Sequence, residues 1–96
     1  MLMLVTYDVN TETKAGRRRL RRVARTCLDF GQRVQHSVFE CEVDPAQWAM
    51  LRAALLGEID LACDSLRFYA LGRNGRSRVE HIGAKATLDL AGSIIL

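Results

Sequence analysis

The chain opens with a run of hydrophobic residues that predicts a buried β-strand. Over residues 2–9, both alternating faces of the strand are largely apolar. These faces are Leu2, Leu4 and Thr6 on one side and Met3, Val5 and Tyr7 on the other. A strand with two apolar faces is usually covered on both sides, so we expect this one at the centre of a sheet.

A helix with one apolar side and one basic side is predicted to follow. Its apolar residues recur at the spacing i, i+3, i+4, i+7 and i+8, at Leu20, Val23, Ala24, Cys27 and Leu28. At about 100° per residue, five basic residues fall on the opposite side, and Arg17 and Arg19 flank the apolar stripe. The five are Lys14, Arg18, Arg21, Arg22 and Arg25. Gly31 is expected to end this helix.

The middle of the chain predicts a hairpin and a second helix. Residues 33–35 and 37–43 alternate like strands around a tight turn near His36. Asp44 is an expected N-cap, with Pro45 at the first helical position and Gln47 completing a capping box. Trp48, Leu51 and Leu55 form the predicted core side of this helix, and Gly57 is predicted to end it.

Two further strands complete the predicted order. They are residues 64–71 and a short edge strand at 78–82. The order β-α-β-β-α-β plus an extra strand predicts an α+β, ferredoxin-like fold, with two helices on one face of an antiparallel sheet. The other face is then bare, although the first strand is apolar on both sides. A second copy packed sheet to sheet would cover it, so we expect a homodimer.

Basic residues are concentrated in the first helix and just after it. Eight of the fourteen Lys and Arg residues lie between residues 14 and 33, against one acid, Asp29. The eight are Lys14, Arg17, Arg18, Arg19, Arg21, Arg22, Arg25 and Arg33. The alternative is a solvated helix face, but of the acidic partners four residues away that usually accompany such a face, only Asp29 is present, four residues after Arg25. A concentrated basic surface attracts polyanions, so the charge pattern predicts a nucleic-acid partner.

Cysteine usage and hydropathy favour a cytoplasmic location. Cys27, Cys41 and Cys63 lack metal-binding spacing and fall in apolar-periodic segments, which predicts reduced thiols. The apolar start has no basic n-region, and no stretch reaches the length of a membrane span. We therefore expect no membrane partner.

Asp8 is the most informative single residue, because it stands at the end of the hydrophobic first strand. A carboxylate there is costly unless it is hydrogen-bonded, paired or bound to a cation. If the bare faces of two copies meet across a two-fold axis, two Asp8 carboxylates can share a hard cation. The alternative is an N-cap or turn aspartate before the first helix.

Other candidate residues are more simply explained by structure. His36 and His81 have no partners at recognisable spacing and are expected on the solvent side. Glu40 and Glu42 share one strand face, where a solvated sheet edge is favoured over an interface contact. Tyr7 is expected to pack in the core, although aromatics on central strands also stack bases in RNA-recognition domains.

Three segments of the chain resemble a known family, CRISPR-associated protein two, the small dimeric subunit of the spacer-acquisition machinery. They are Tyr7-Asp8-Val9, Arg17-Arg18-Arg19-Leu20 and Gly31-Gln32-Arg33-Val34-Gln35-His36-Ser37-Val38-Phe39-Glu40. The last is the most specific. The resemblance covers a ferredoxin-like domain at residues 1–83 and fades over a C-terminal tail at residues 84–96.

The resemblance implies a homodimer in which Asp8 of both subunits flanks the two-fold axis and holds one Mg²⁺ or Mn²⁺. It also implies that the late strand at residues 78–82 adds to the partner's sheet. Members of this family resemble metal-dependent nucleases acting on RNA or duplex DNA. Others are scaffolds that sit between two dimers of the integrase, CRISPR-associated protein one, and hold the protospacer duplex with their arginines.

Our primary functional hypothesis is the scaffold. A nuclease usually needs several carboxylates, or a carboxylate with a base, and this sequence has Asp8 and little else nearby. Duplex binding needs only a rigid basic surface. The second hypothesis is an endonuclease that uses Asp8 of both chains and one metal ion. A third, an RNA-binding module that uses the sheet face, is disfavoured because the basic residues lie on a helix.

Overall fold

The chain forms an antiparallel sheet against which two helices pack. The computed structural model describes residues 1–72 and 77–84. Its elements are β1 (Leu2–Asp8), α1 (Lys14–Phe30), β2 (Gln32–Gln35), β3 (Val38–Glu42), α2 (Pro45–Glu58), β4 (Ser65–Leu71) and β5 (Ser77–Gly83). The strand order is β2-β3-β1-β4-β5, and all neighbouring strands are antiparallel. This arrangement confirms the predicted α+β, ferredoxin-like order with an extra strand.

The core lies between the helices and one face of the sheet. In β1, Met3, Val5 and Tyr7 are buried, because alternate residues of a strand point to the same side. Pairing places Val5 between Phe39 of β3 and Phe68 of β4, and both phenylalanines are buried too. The helices complete the core with Val23 and Cys27 from α1 and with Leu51 and Leu55 from α2. Tyr7 therefore packs in the core, as predicted.

Both helices begin at residues whose side chains cap them. Thr13 is the N-cap of α1 and accepts a hydrogen bond from the Gly16 N–H at 2.9 Å. Asp44 and Gln47 form the predicted capping box of α2. The prediction that Gly57 ends α2 is wrong, because the helix continues to Glu58. One glycine costs a helix about 1 kcal/mol, which packing of the last turn against the core offsets.

The C-terminal end of α1 differs from the predicted stripe. Leu28 is 54% exposed, and Phe30 packs against the core at this end of the helix instead. Gly31 ends the helix, and its N–H bonds to the Cys27 carbonyl at 2.9 Å. Its φ of −166° is ordinary extended backbone. The glycine is needed for close approach, because a Cβ atom at Gly31 would lie 2.0 Å from the Glu40 carbonyl oxygen.

The edges of the sheet are β2 and β5. Strand β5 pairs with β4 of the same chain, with Leu66 opposite Ile82, whereas the family resemblance implied pairing with a partner's sheet. Strand β3 lies between β2 and β1, so the prediction that Glu40 and Glu42 occupy a sheet edge is wrong. They lie instead on the sheet face away from the helices, because the alternate residues Phe39 and Cys41 are buried beneath the helices.

The cysteines and the lengths of the helices bear on two further expectations. All three cysteines are free thiols, with Cys27 and Cys41 buried and Cys63 half-buried. Burial raises the pKa of the Cys27 thiol to about 12, so it stays protonated. Among the described residues, no helix is long and apolar enough to cross a membrane. Residues 85–96 of the predicted tail lie outside the described residues.

Candidate nucleic-acid interface

Helix α1 presents most of its basic residues to solvent. Its hydrophobic side faces the core through Val23 and Cys27, which places the predicted basic side outward. Six basic residues of this helix are exposed. They are Lys14, Arg17, Arg18, Arg21, Arg22 and Arg25. Within the described residues, none of the six forms an ion pair with an acid, so their positive charge is available to a polyanion.

The start of α1 is held close to the end of β1. Gly16 is buried, and a Cβ atom there would lie 1.9 Å from the Asn10 carbonyl oxygen. Asn10 also accepts the Glu12 N–H through its side-chain oxygen at 2.9 Å. This compact connection fixes Asp8 relative to the first basic residues of the helix.

Arg19 differs from its neighbours, because it is turned toward the protein. Its Nε atom lies 2.7 Å from Asp64 Oδ2, and its Nη2 atom lies 3.3 Å from Asp64 Oδ1. The Asp64 side chain is fully buried and the Arg19 side chain is 18% exposed. Arg19 is therefore less available for the predicted contact with nucleic acid than the six exposed residues are.

The Asp64 carboxylate receives two further hydrogen bonds from backbone. The Asn10 N–H donates to Oδ1 and the Asp60 N–H donates to Oδ2, each at 2.9 Å. Burial alone raises the pKa of Asp64. The hydrogen bonds from Arg19, Asp60 and Asn10 outweigh burial and hold the pKa below its ordinary value. Asp64 is therefore ionised at neutral pH and ties three segments of the chain together.

We expect Asp64→Ala to lower the free energy of unfolding by about 2 kcal/mol at pH 7, because buried N–H donors lose their acceptor. The folded-state pKa is depressed, so this stabilisation is complete above the unfolded pKa of about 3.9 and disappears as pH falls through the folded value. Urea unfolding at several pH values checks this, with the exposed Asp29→Ala as the control. A difference between wild type and Asp64→Ala that grows below pH 4 would contradict it.

Asp8 ends β1 and is exposed. It pairs with Ser65 of β4. Because alternate residues of a strand point to the same side, Asp8 belongs with Leu2, Leu4 and Thr6 to the sheet face away from the helices. Because Thr13 caps α1, the alternative that Asp8 is the N-cap is wrong.

The described residues do not form a complete metal site. Among residues 1–72 and 77–84, no three His, Cys, Asp or Glu side chains are grouped so that they could hold a metal ion. Mg²⁺ prefers octahedral oxygen ligands and is commonly bound through one or two carboxylates together with waters and phosphate oxygens. Asp8 can supply one such ligand, and a second copy of the chain would supply another.

A cleft of about 410 Å³ lies between the end of β1, α1 and the turn between β2 and β3. Asp8, Arg21, Arg33 and His36 are among its lining residues. The Arg33 guanidinium carbon lies 5.1 Å from the centre of the Phe39 ring, at cation–π distance. The cleft therefore brings two of the predicted basic residues and the predicted carboxylate to one place.

The two histidines have different surroundings. His36 is exposed in the turn, as predicted, and its carbonyl accepts the Tyr7 hydroxyl at 3.3 Å. Burial, followed by the effect of Cys27, raises the pKa of Tyr7, so the hydroxyl stays neutral. The solvent-side prediction for His81 is wrong, because His81 is half-buried. Its Nδ1 atom lies 3.5 Å from Arg67 Nη2, and its buried Nε2 atom has no partner among the described residues.

Comparison with known proteins decides the family. The model of the family "CRISPR associated protein Cas2" matches residues 1–79. The chain belongs to the Cas2 family. It is 69% identical, over the full length of both chains, to "CRISPR-associated endoribonuclease Cas2" of Chlorobaculum tepidum. It is also 53% identical to "CRISPR-associated endonuclease Cas2" of Halalkalibacterium halodurans, over 99% of each chain.

A solved Cas2 structure has the same fold. The crystal structure of Streptococcus pyogenes Cas2 at pH 6.5 superposes with a TM-score of 0.71 and is 61% identical in sequence. The match covers 77% of this chain and 89% of that one. A hypothetical protein of Thermus thermophilus, TT1823, superposes with a TM-score of 0.65 at 34% identity, covering 74% of this chain and 80% of its own.

Sequence reasoning missed two features of this Cas2-family site. One is the buried carboxylate of Asp64, for which the sequence predicts only a position at the start of a strand. The other is the contact between Arg33 and Phe39. Phe39 belongs to the alternating pattern of β3, so its burial was predictable, but its pairing with Arg33 depends on the register between β2 and β3. No spacing of residues along the chain indicates that Asp64 is buried or that Arg33 contacts Phe39.

Proposed function

We propose that the protein is a homodimeric scaffold of CRISPR adaptation. In this role it holds a protospacer duplex in the cytoplasm, together with the integrase subunit, CRISPR-associated protein one. The observation that carries the proposal is the outward face of α1, where six basic side chains are exposed and none has an acidic partner among the described residues. Phosphate contacts position a duplex without reading its sequence, as a scaffold for varied protospacers requires.

The geometry of α1 suits contact with a duplex backbone. Arg18, Arg22 and Arg25 follow the spacing i, i+4 and i+7, so they form one line along the helix. At a rise of 1.5 Å per residue, the line spans roughly 10 Å. Arginine forms bidentate hydrogen bonds to phosphate, which makes such a line a rigid set of anchors. Arg33, which lines the cleft beside the helix, extends the basic surface.

The homodimer is supported by the face of the sheet that the helices leave uncovered. In β1 this face carries Leu2 and Leu4, both half-buried, and β4 contributes Leu71, which is 38% exposed. The helices pack on the opposite face, so a second copy can cover these side chains without displacing α1. The basic helix then remains outside in both copies, and the two Asp8 residues lie on the covered faces.

A second candidate function is a metal-dependent endonuclease acting on RNA or duplex DNA. The exposed position of Asp8 at the end of β1 favours it, and several relatives are named endoribonuclease or endonuclease. Asp8 of both subunits would hold one Mg²⁺ or Mn²⁺. When bound, such an ion activates water and neutralises phosphate charge. We rank this function second, because the described residues include no group of three His, Cys, Asp or Glu side chains that could hold a metal ion.

The first test of the proposal is assembly. We expect the chain to sediment as a dimer at micromolar concentration, because the shared surface should bury more than about 1,000 Å². We further expect the dimer to co-sediment with the integrase subunit and a protospacer duplex. Analytical ultracentrifugation of the chain alone and of the mixture measures both. A folded monomer at micromolar concentration would contradict the dimer, and a dimer that enters no complex with duplex would contradict the scaffold.

A further inference from the structure

The Asp64 carboxylate is bonded to three segments that surround the start of the proposed interface. Its two oxygens accept from Asn10 in the loop after β1, from Arg19 in α1 and from Asp60 in the loop before β4. All four of these distances lie between 2.7 and 3.3 Å. The carboxylate is therefore fully satisfied inside the protein, and it has no role in the proposed contacts with phosphate.

This arrangement links Asp64 to the position of Asp8 and of the first arginines of α1. Asn10 is two residues after Asp8. Its carbonyl oxygen packs so closely against Gly16 that a Cβ atom there would lie 1.9 Å from it. The loop is thus confined between the Asp64 carboxylate on one side and the first turn of α1 on the other. A shift of this loop would move both Asp8 and the neighbouring basic residues.

Arg19 uses its planar fork for this internal contact. Its Nε and Nη2 atoms both donate to Asp64, and Nη2 also lies 3.4 Å from Cys63 Sγ. By contrast, Arg18 on the same helix is exposed and forms no ion pair among the described residues. Two adjacent arginines that look equivalent in the sequence therefore have different roles.

We infer that Asp64 is a positioning residue of the nucleic-acid interface, and that Arg19 acts through Asp64 instead of contacting a phosphate. The inference rests on the proposed duplex binding of α1. The positioning role and a direct contact between Arg19 and phosphate predict opposite effects when the Asp64 charge is removed. If Arg19 touched phosphate, loss of the competing carboxylate would leave duplex affinity unchanged or increase it. If Asp64 positions the interface, the same loss weakens binding.

The test compares Asp64→Asn with Asp29→Asn, which removes an equal charge from an exposed position of α1. Fluorescence anisotropy with a labelled duplex measures affinity at several salt concentrations. We expect Asp64→Asn to weaken binding about tenfold, a difference of about 1.4 kcal/mol, while Asp29→Asn does not weaken it. Binding by Asp64→Asn as tight as by Asp29→Asn would overturn the inference.

A pair of lysine variants keeps the test decisive if Asp64→Asn does not fold. Lysine replaces arginine well as a point charge on phosphate but cannot reproduce its bidentate fork. We therefore expect Arg52→Lys, which removes the same fork from the ion pair with Glu80 outside the interface, to bind duplex as wild type does, and Arg19→Lys to bind about tenfold more weakly. Arg19→Lys binding like wild type, with Arg19→Ala reducing the log–log salt slope by up to about 1.8 for the two Arg19 residues of a dimer, would assign Arg19 to a phosphate and overturn the inference.

Hydrogen exchange separates failure of this inference from failure of the proposed function. The Asn10 N–H bonds to Asp64 in the protein without nucleic acid, so its exchange can be measured independently of duplex binding. We expect its exchange to be at least about tenfold faster in Arg19→Lys than in wild type, because the carboxylate loses its anchor. Unchanged exchange would overturn the positioning role. Absence of duplex binding by wild type, with faster exchange in the variant, would instead contradict the proposed function alone.

Discussion

Replacing Arg18, Arg22 and Arg25 together with alanine is expected to weaken duplex binding by roughly a hundredfold or more near 0.1 M salt. The three side chains are exposed on one line of α1, and a homodimer presents them twice. Each neutralised phosphate contributes about −0.9 to the log–log salt slope, so loss of six contacts should flatten the slope by up to about 5. Anisotropy titrations at three or more salt concentrations, with the integrase subunit present, measure both quantities.

Two controls make this result specific. The triple lysine variant keeps the charge at the same positions, so its salt slope should stay close to that of wild type. Two duplexes of unrelated sequence should lose affinity equally, because phosphates carry no sequence information. Unchanged affinity and slope in the triple alanine variant would mean that this helix face is only solvated. A loss confined to one duplex would indicate base readout and contradict a general scaffold.

Asp8→Asn is expected to separate cleavage from binding. If the protein cleaves nucleic acid, the substitution should reduce metal-dependent cleavage by at least about a hundredfold. Substitution of residues that only support a metal ligand already lowers metal affinity or activity by about 10–100-fold. Dimerisation and duplex binding should be largely retained, because Asn has nearly the same size as Asp and the exposed basic residues of α1 are unchanged. The measurements are cleavage of RNA and duplex DNA with Mg²⁺ or Mn²⁺, and Mn²⁺ binding without nucleic acid.

Asp29→Asn, purified in the same way, is the control for contaminating nuclease and for the loss of one negative charge. Cleavage by Asp8→Asn at the wild-type rate would contradict a nuclease site at this residue. If wild type shows no metal-dependent cleavage while it binds duplex, the scaffold function stands without the nuclease. Mn²⁺ binding that persists in Asp8→Asn would place the metal elsewhere.

The separation of the two surfaces has a functional consequence. Most of the exposed basic residues of α1 lie on the helix side of the sheet, whereas Asp8 alternates with the residues of the opposite face and meets α1 at the cleft that Arg21 also lines. In a dimer joined through that opposite face, the carboxylates lie near the shared surface and the arginines lie outside it. One chain can therefore hold a duplex along its helices whether or not the central carboxylates bind a cation.

Local patterns in the sequence determined most of the secondary structure. The hydrophobic run at residues 2–9 identifies β1 as a strand, and the capping box at Asp44 identifies the start of α2. The same is true of the basic side of α1, because a helix of 3.6 residues per turn has a known face opposite its apolar stripe. These features depend on neighbours within about one or two helical turns, which is why spacing along the chain reveals them.

The tertiary structure alone decided which of these residues share a partner. Arg19 and Arg18 are adjacent and chemically identical, but only Arg19 meets Asp64, which lies 45 residues further along the chain. In the same way, β3 became an internal strand because of pairing between distant segments, whereas the edge position of β5 agrees with the sequence prediction. Helical and strand periods fix the direction of a side chain relative to its own element. These periods do not indicate which residue of a distant segment the side chain contacts. The roles of Asp64 and Arg19 therefore became visible only in the folded chain.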